Sequence, residues 1–155
     1  MGVSMEYIQS KDNKTIKRII SLGQRKNRQK YGEYIVEGIR SIRDIAAMGA
    51  VKTIVIRESK AQDKHVLDLL DLDTVQFVPK FIAQDPIFDK VDNTVNVQGV
   101  VAIVSKPKYD MESIHIDDGL YITLDGVQDP GNLGTIIRTA VAAGVKGLFL
   151  MKGTV

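Results

Sequence analysis

The segment LDGVQDPGNLGTIIR, residues 124–138, decides how the second half of this chain is interpreted. Residues 120–124, which end at the first residue of this segment, form an apolar run rich in β-forming residues. This run predicts a buried strand. The glycines and the proline that follow are typical of a loop. After Asn132 the apolar residues recur at helical spacing, and Gly144 is expected to end that helix before a second strand at residues 147–151. The predicted order is therefore strand, glycine-rich loop, helix and strand. Open α/β sheets bind ligands at such a loop, where a strand ends and a helix begins.

Two polar residues of this segment each have two interpretations. Asn132 is predicted at the helix N-cap, where capping alone would explain an asparagine. Arg138 is predicted on the first or second turn of a helix that is otherwise apolar and small. It is either a solvent-facing residue or a functional cation directed at the loop, and spacing alone favours the solvent-facing alternative.

The longer run LDGVQDPGNLGTIIRTA, residues 124–140, resembles the first signature motif of the SpoU-type RNA 2′-O-ribose methyltransferases of the knotted SPOUT superfamily. The resemblance implies transfer of a methyl group from S-adenosylmethionine to a ribose 2′-hydroxyl. It also implies that Arg138 is the catalytic arginine that helps to activate this hydroxyl, and that Asn132 supports the site. Val141 departs from the pattern, because many relatives carry an aspartate there, and this affects the expected local polar contacts.

The composition is that of an ordinary globular protein, with 155 residues of which 44% are hydrophobic and 26% charged. Because the chain has no cysteine and only two scattered histidines, His65 and His115, we expect no disulfide and no metal site. No apolar run approaches the roughly 20 residues of a membrane span, and the N-terminus lacks the apolar core of a signal peptide. We therefore expect a cytoplasmic protein that has no membrane partner.

The net charge of +2 hides an asymmetry along the chain. Residues 1–60 contain 13 lysines and arginines against 6 acidic residues, whereas residues 61–155 contain 8 against 13. Most of the basic excess lies in residues 11–30, which predicts a surface that binds a polyanion. The run QRKNRQK, residues 24–30, is either a solvated loop or helix end, or a segment that contacts RNA phosphates. We favour phosphate contact, for which the candidates are Arg25, Lys26, Arg28 and Lys30.

The pattern up to residue 104 predicts alternating strands and helices. The predicted strands are residues 34–36, 51–57, 75–78 and 98–104. The predicted helices are residues 13–22, 38–48, 64–70 and a short helix from residue 80 to 83 that Asp85-Pro86 interrupts. This order predicts an α/β fold with a largely parallel sheet, while residues 1–9 are expected to be poorly tied down.

Several side chains of this first region receive specific expectations. The helix that begins at Asn13 is expected to bury Ile16, Ile19, Ile20 and Leu22. The outer face of the next helix carries Arg40 and Arg43, which are further candidates for RNA contact. Tyr31 and Tyr34 flank the basic run and either stack on an unpaired base or belong to the core.

The segment YIVEGIR, residues 34–40, resembles the substrate-binding domain that precedes the methyltransferase domain in the same family. That resemblance implies an α/β/α sandwich like those of certain ribosomal and kink-turn-binding proteins, and structured RNA as the substrate. We expect an RNA substrate-binding domain at residues 1–105, a linker at residues 106–118, and the first part of a SPOUT methyltransferase domain, knotted and Rossmann-like, at residues 119–155.

The family's two later signature motifs, which build the knot and bind S-adenosylmethionine, have no match in this sequence. We therefore expect the cofactor-binding loops to lie beyond Val155, and none within this chain. The resemblance also implies a homodimer that forms through the catalytic domain. The sequence leaves two alternatives to a methyltransferase. The first is a non-catalytic RNA-binding module. The second, ranked last, is an unrelated nucleotide-binding α/β protein, for which the G-x-G-x-x-G and P-loop patterns are both missing.

Overall fold

The computed structural model describes residues 5–91, 99–108 and 114–155. The chain divides into two compact units, Met1–Lys108 and Tyr109–Val155. The division falls inside the segment predicted as a linker, of which residues 109–113 lie outside the described residues. The predicted domain boundaries at residues 105 and 119 remain a prediction.

The first unit alternates strands and helices, as its sequence pattern predicts. Its strands are β1 (Glu6–Ile8), β2 (Glu33–Glu37), β3 (Val51–Arg57), β4 (Lys80–Ala83) and β5 (Val100–Ser105). Its helices are α1 (Lys14–Leu22), α2 (Arg25–Tyr31), α3 (Ile39–Ala46), α4 (Lys64–Leu70) and α5 (Asp85–Phe88). Short 3-10 turns lie at Glu58–Lys60 and Asp73–Val75.

The five strands form one mixed sheet in the order β1-β4-β3-β5-β2. The β1-β4 and β3-β4 pairs are parallel, whereas β5 runs antiparallel to both β3 and β2. The prediction of a largely parallel sheet was therefore wrong. A strand that is buried on both faces has a continuous apolar sequence in either direction, so the sequence of β5 carries no signal for its direction. Gln98, the predicted first residue of this strand, lies outside the described residues.

Two apolar cores, one on each face of the sheet, confirm the predicted α/β/α sandwich. Along β3, Ile54 and Ile56 pack with α3 and α4, while Val55 between them packs with α1 and α5. Strand β5 alternates in the same way, with Ala102 in the first core and Val101 in the second. This follows from the two-residue period of a strand, which sends successive side chains to opposite faces.

The buried face of helix α1 is narrower than predicted. Ile16, Ile19 and Leu22 are buried, but Ile20 is 50% exposed. Successive residues of an α-helix are about 100° apart around the axis, so Ile20 turns away from the stripe centred on Ile19. The side chain of Asn13 caps the helix by accepting the N–H of Thr15 at 2.8 Å.

Four predictions for the segments in and around β1 and β4 were wrong. Residues 6–8, expected to be loose, form β1 alongside β4, while residues 1–4 lie outside the described residues. Residues 75–78 do not form the predicted strand, and residues 80–83 form strand β4 instead of a helix. Asp85-Pro86 does not interrupt a helix but begins α5, because proline is tolerated in the first turn, where its missing N–H has no helical partner.

The contacts of Lys80 stabilise the turn that stands in place of the strand predicted at residues 75–78. Its side chain is buried, and its ammonium donates to the carbonyl oxygens of Val75, Gln76 and Val78 at 2.7, 3.0 and 3.2 Å. The ammonium thereby satisfies carbonyl groups at the end of the Asp73–Val75 turn and just after it, within the residues 75–78 that were predicted as a strand. Burial lowers the pKa of Lys80, because it disfavours the charged form.

The second unit is a single strand–helix–strand element. Its parallel strands are β6 (Tyr121–Leu124) and β7 (Gly147–Leu150), and α6 (Pro130–Ala142) connects them. Among the described residues of this unit, Leu124 and Ala140 are the buried ones. Lys146, just before β7, donates to Asp117, which precedes β6, at 2.9 Å. This hydrogen bond lowers the pKa of the Asp117 carboxyl.

Replacing Lys80 with methionine keeps the apolar stem but removes the donor from three backbone carbonyls. We expect Lys80→Met to lower the free energy of unfolding by about 2 kcal/mol, since hydrogen bonds to a charged group contribute roughly 1.5–3 kcal/mol. Urea denaturation measures this change. The matched control is Lys52→Met, at an exposed position of β3. Equal effects of the two substitutions would show that the buried ammonium does not stabilise the turn.

Candidate catalytic loop and RNA-binding surfaces

The loop between β6 and α6 ends at an aspartate cap. Helix α6 begins at Pro130, and Oδ1 of Asp129 accepts the N–H of Asn132 at 2.6 Å. The predicted N-cap at Asn132 was therefore wrong by three residues. The sequence does contain the correct signal, because an aspartate followed by proline is a typical N-cap and first helical residue.

This shift changes the interpretation of Asn132. Since Asp129 caps the helix, capping no longer explains why an asparagine stands at position 132. Asn132 lies in the first turn of α6 and is exposed to solvent beside the loop. Its side-chain amide is thus available to a ligand at this end of the helix.

Arg138 lies on the third turn of α6, whereas the sequence predicted the first or second. It is exposed, and its Nη2 donates to Oγ1 of Thr135 at 3.0 Å. Long helical side chains run back toward the N-terminus, and the guanidinium follows this rule by lying over the preceding turn. The side chain of Arg138 therefore points toward the loop end of the helix, as expected of a functional cation, although it is also solvent-exposed.

Asn132 and Arg138 do not start from the same face of α6. Six residues of an α-helix span about 9 Å along the axis and turn the side chain by about 240°. The structure brings the two side chains toward the same end of the helix through the backward reach of Arg138. Val141 is 70% exposed on the last turn of the helix.

The predicted phosphate-contacting run forms helix α2, and three of its four basic candidates are exposed. These are Arg25, Lys26 and Lys30. The fourth, Arg28, has a structural contact, because its Nη1 donates to the carbonyl oxygens of Leu22 and Gly23 at 3.1 and 2.7 Å. Arg28 therefore closes the C-terminus of α1.

Of the two tyrosines next to this run, Tyr31 is the exposed one. The guanidinium of Arg18 lies 3.2 Å from the centroid of the Tyr31 ring and donates to Glu33 at 2.9 Å. Lys30 lies over the same ring at 5.3 Å. Tyr34 instead packs against the core beneath α3, which supports the core alternative for this residue.

Arg40 and Arg43 line a groove between α3 and the start of α4. The groove has a volume of about 650 Å³ and is completed by Ile39, Asp44, Lys60, Asp63 and His65. Lys60 and His65 were not predicted to belong to this surface, because they come from a different segment and only the packing of α3 against α4 brings them near the arginines. The groove contains both basic and acidic groups.

Neither a metal site nor a membrane span is visible in the part of the chain that the structure describes. No cluster of three or more histidine, cysteine, aspartate or glutamate residues there could hold a metal ion. No described helix is long and apolar enough to cross a membrane.

Comparison with known proteins identifies the two halves of the chain. Residues 13–102 match the model of the MRM3-like substrate binding domain, and residues 119–155 match the model of the SpoU rRNA Methylase family. An uncharacterised tRNA/rRNA methyltransferase of Synechocystis is 33% identical over 92% of this chain and 52% of its own length. The 23S rRNA (guanosine(2553)-2′-O)-methyltransferase RlmP of Bacillus subtilis is 29% identical over 97% of this chain and 56% of its own length.

A solved structure shows the same relationship. The AdoMet-bound rRNA methyltransferase from Sinorhizobium meliloti superposes with a TM-score of 0.77 at 31% identity, covering 97% of this chain and 56% of that chain. The chain thus spans about half the length of the relatives that it matches. On this evidence the chain belongs to the SpoU rRNA methylase family and carries an MRM3-like substrate-binding domain before its SpoU segment.

Proposed function

We propose that this chain is part of an RNA 2′-O-ribose methyltransferase that acts on ribosomal RNA with S-adenosylmethionine as the methyl donor. The observation that carries the proposal is the exposed guanidinium of Arg138, which lies over α6 toward the loop of a SpoU segment. The relatives support it, since RlmP of Bacillus subtilis is a 23S rRNA (guanosine(2553)-2′-O)-methyltransferase. A cytoplasmic location goes with this proposal as the expected place of the RNA substrate.

Arg138 acts as a permanent cation in this proposal. A guanidinium is a hydrogen-bond donor that carries no acceptor lone pair, so it is a poor base. It stabilises the negative charge that develops on the ribose 2′-oxygen as this oxygen loses its proton, or it holds the adjacent phosphate. Asn132 supports the same site by offering amide hydrogen bonds to the bound nucleotide.

S-adenosylmethionine would supply the methyl group, and the described residues do not enclose it on their own. Asp125, Gly126, Gln128 and Asp129 of the loop are all solvent-exposed. At the first turn of α6, where an anionic group could otherwise bind, the N–H of Asn132 already donates to Asp129. The proposed role of Arg138 therefore rests on its action toward the RNA and not on a contact with the cofactor.

Arg138→Ala in the full polypeptide that contains this chain should lower the rate of RNA methylation about a hundredfold or more, because one charge-stabilising donor is lost. RNA affinity should change much less. Transfer of a labelled methyl group to ribosomal RNA measures the rate, and a filter-binding assay measures affinity. The control is Lys152→Ala, an exposed cation of the same unit.

Two results would contradict this role. An Arg138→Ala protein with the wild-type rate would remove Arg138 from the catalytic site. A wild-type protein that binds RNA but transfers no methyl group would instead support the non-catalytic RNA-binding module.

We also propose that structured RNA binds to two basic surfaces of the first unit. The first surface is the exposed side of α2, with Arg25, Lys26 and Lys30. The second is the α3–α4 groove with Arg40 and Arg43. Arg28 contributes to the first surface mainly by holding α2 against the end of α1. Clustered cations on one face are the electrostatic feature that phosphate binding needs.

Replacing Arg25, Lys26 and Lys30 together with glutamine should weaken RNA binding and flatten its salt dependence. Each lost phosphate contact should reduce the slope of log affinity against log salt by about 0.7–0.9. The salt dependence of the RNA dissociation constant measures this. Leaving Arg28 in place avoids disturbing α1. A matched triple replacement of the exposed Lys52, Lys90 and Lys152 should leave the slope unchanged, and equal slopes for all three proteins would argue against the surface.

We propose in addition that the second unit associates with a second copy of this chain, as the family resemblance suggests. Ile137 and Val141 lie one turn apart on α6 and are 38% and 70% exposed. Leu150 and Met151 at the end of β7 are each 50% exposed. In the described part of the chain, β7 pairs with β6 alone. Exposed apolar side chains and an open strand edge both favour association.

The 155-residue chain should therefore be at least a dimer at micromolar concentration, and Val141→Lys should shift it toward monomer. Light scattering measures the mass of both proteins. Met48→Lys is the control, because Met48 is an apolar residue of the first unit that is at least as exposed as Val141, at 77%. A wild-type monomer at high concentration would exclude association through these residues.

A further inference from the structure

The guanidinium of Arg138 is held by a short chain of hydrogen bonds along α6. Its Nη2 donates to Oγ1 of Thr135 at 3.0 Å, and this hydroxyl donates in turn to the carbonyl oxygen of Gly131 at 3.0 Å. A threonine hydroxyl has a single proton. Because that proton is given to Gly131, the hydroxyl presents only its lone pairs to Arg138, as a cationic donor requires.

Gly134 leaves the space that the guanidinium occupies. A Cβ atom at this position would lie 3.3 Å from Nη1 of Arg138. With a Cβ at position 134, the guanidinium would have to shift by a few tenths of an ångström. Positions 134 and 135 thus set the location of the same group, one by a hydrogen bond and the other by the absence of a side chain.

We propose that Thr135 is a positioning residue for the methylation reaction, acting through Arg138, and that Gly134 provides the space for this arrangement. The inference rests on the proposed function of Arg138. An exposed arginine samples many rotamers, and a cation stabilises developing charge best when it is already in place. Thr135 fixes the guanidinium over the N-terminal half of α6, so less reorganisation is needed when the RNA binds.

Thr139 offers a matched control on the same helix. Its hydroxyl donates to the backbone carbonyl of Thr135 at 2.9 Å. The hydroxyl of Thr135 makes the same kind of bond to the carbonyl of Gly131, one turn earlier. Both threonines are exposed. The hydroxyl of Thr139 contacts a backbone carbonyl, whereas the hydroxyl of Thr135 contacts a backbone carbonyl and Arg138.

The test compares Thr135→Val, Thr135→Ser and Thr139→Val in the full polypeptide, by kcat and KM for methylation of ribosomal RNA. Thr135→Val should lower kcat by about tenfold, a part of the loss expected for removing the arginine itself, with KM for RNA little changed. Thr135→Ser keeps the hydroxyl and should restore the rate. Thr139→Val should behave as wild type, while both valine variants should show the same shift of the melting temperature.

Gly134→Ala excludes loss of stability as the cause. Alanine favours a helix more than glycine does, so this variant should be at least as stable as wild type. It should nevertheless lower kcat, because its methyl group shifts the guanidinium by a few tenths of an ångström from the position that Thr135 sets. In an Arg138→Ala background, Thr135→Val should have no further effect on kcat, since the group that it positions is gone.

The outcomes separate this inference from the proposed function. A wild-type protein without methylation would refute the function, and the positioning role with it. If wild type is active and Arg138→Ala is not, equal rates for Thr135→Val and Thr139→Val would overturn the role of Thr135 alone. The same would follow if Thr135→Val lowered kcat by an equal factor with and without Arg138, because the effect would then be structural.

Discussion

The pairing of β3 with β5 is the constraint on which the first unit depends. Both strands lie inside the sheet, and both send alternate side chains into two separate cores. Helices α3 and α4 can cover one face and α1 and α5 the other only because these two strands supply apolar side chains on both sides. Strand β2 joins at one edge through β5, and β4 and β1 join at the other through β3. The position of every basic surface follows from this arrangement.

In the second unit the cap at Asp129 has a comparable role on a smaller scale. It sets the first residue of α6 and thereby the turn on which each later residue lies. With the helix beginning at Pro130, Asn132 is free of the capping role and Arg138 is placed far enough along the helix to reach back over Gly134 and Thr135. The chemistry proposed for this site thus depends on a hydrogen bond made by a residue outside the pair of signature residues.

Basic residues of the first unit separate into two kinds once their contacts are known. Arg28 closes a helix, Arg18 bonds to Glu33 beneath the Tyr31 ring, and Lys80 ends a turn inside the protein. Arg25, Lys26 and Lys30 have exposed side chains on α2. The sequence shows the excess of positive charge, but it does not distinguish cations that stabilise the fold from those that can meet phosphate, because both kinds occur in the same short runs.

The sequence by itself determined the elements whose pattern is strong and local, such as the period-two apolar run of β3 and the strand–loop–helix order around residues 124–138. It also identified the family, since the motif is a property of consecutive residues. Tertiary structure alone decided the direction of β5 and the strand at residues 80–83. It also joined Lys60 and His65 to the arginines of α3 and placed the guanidinium of Arg138 on Thr135. Each of these depends on contacts between residues that local patterns treat independently, so only the folded chain determines them.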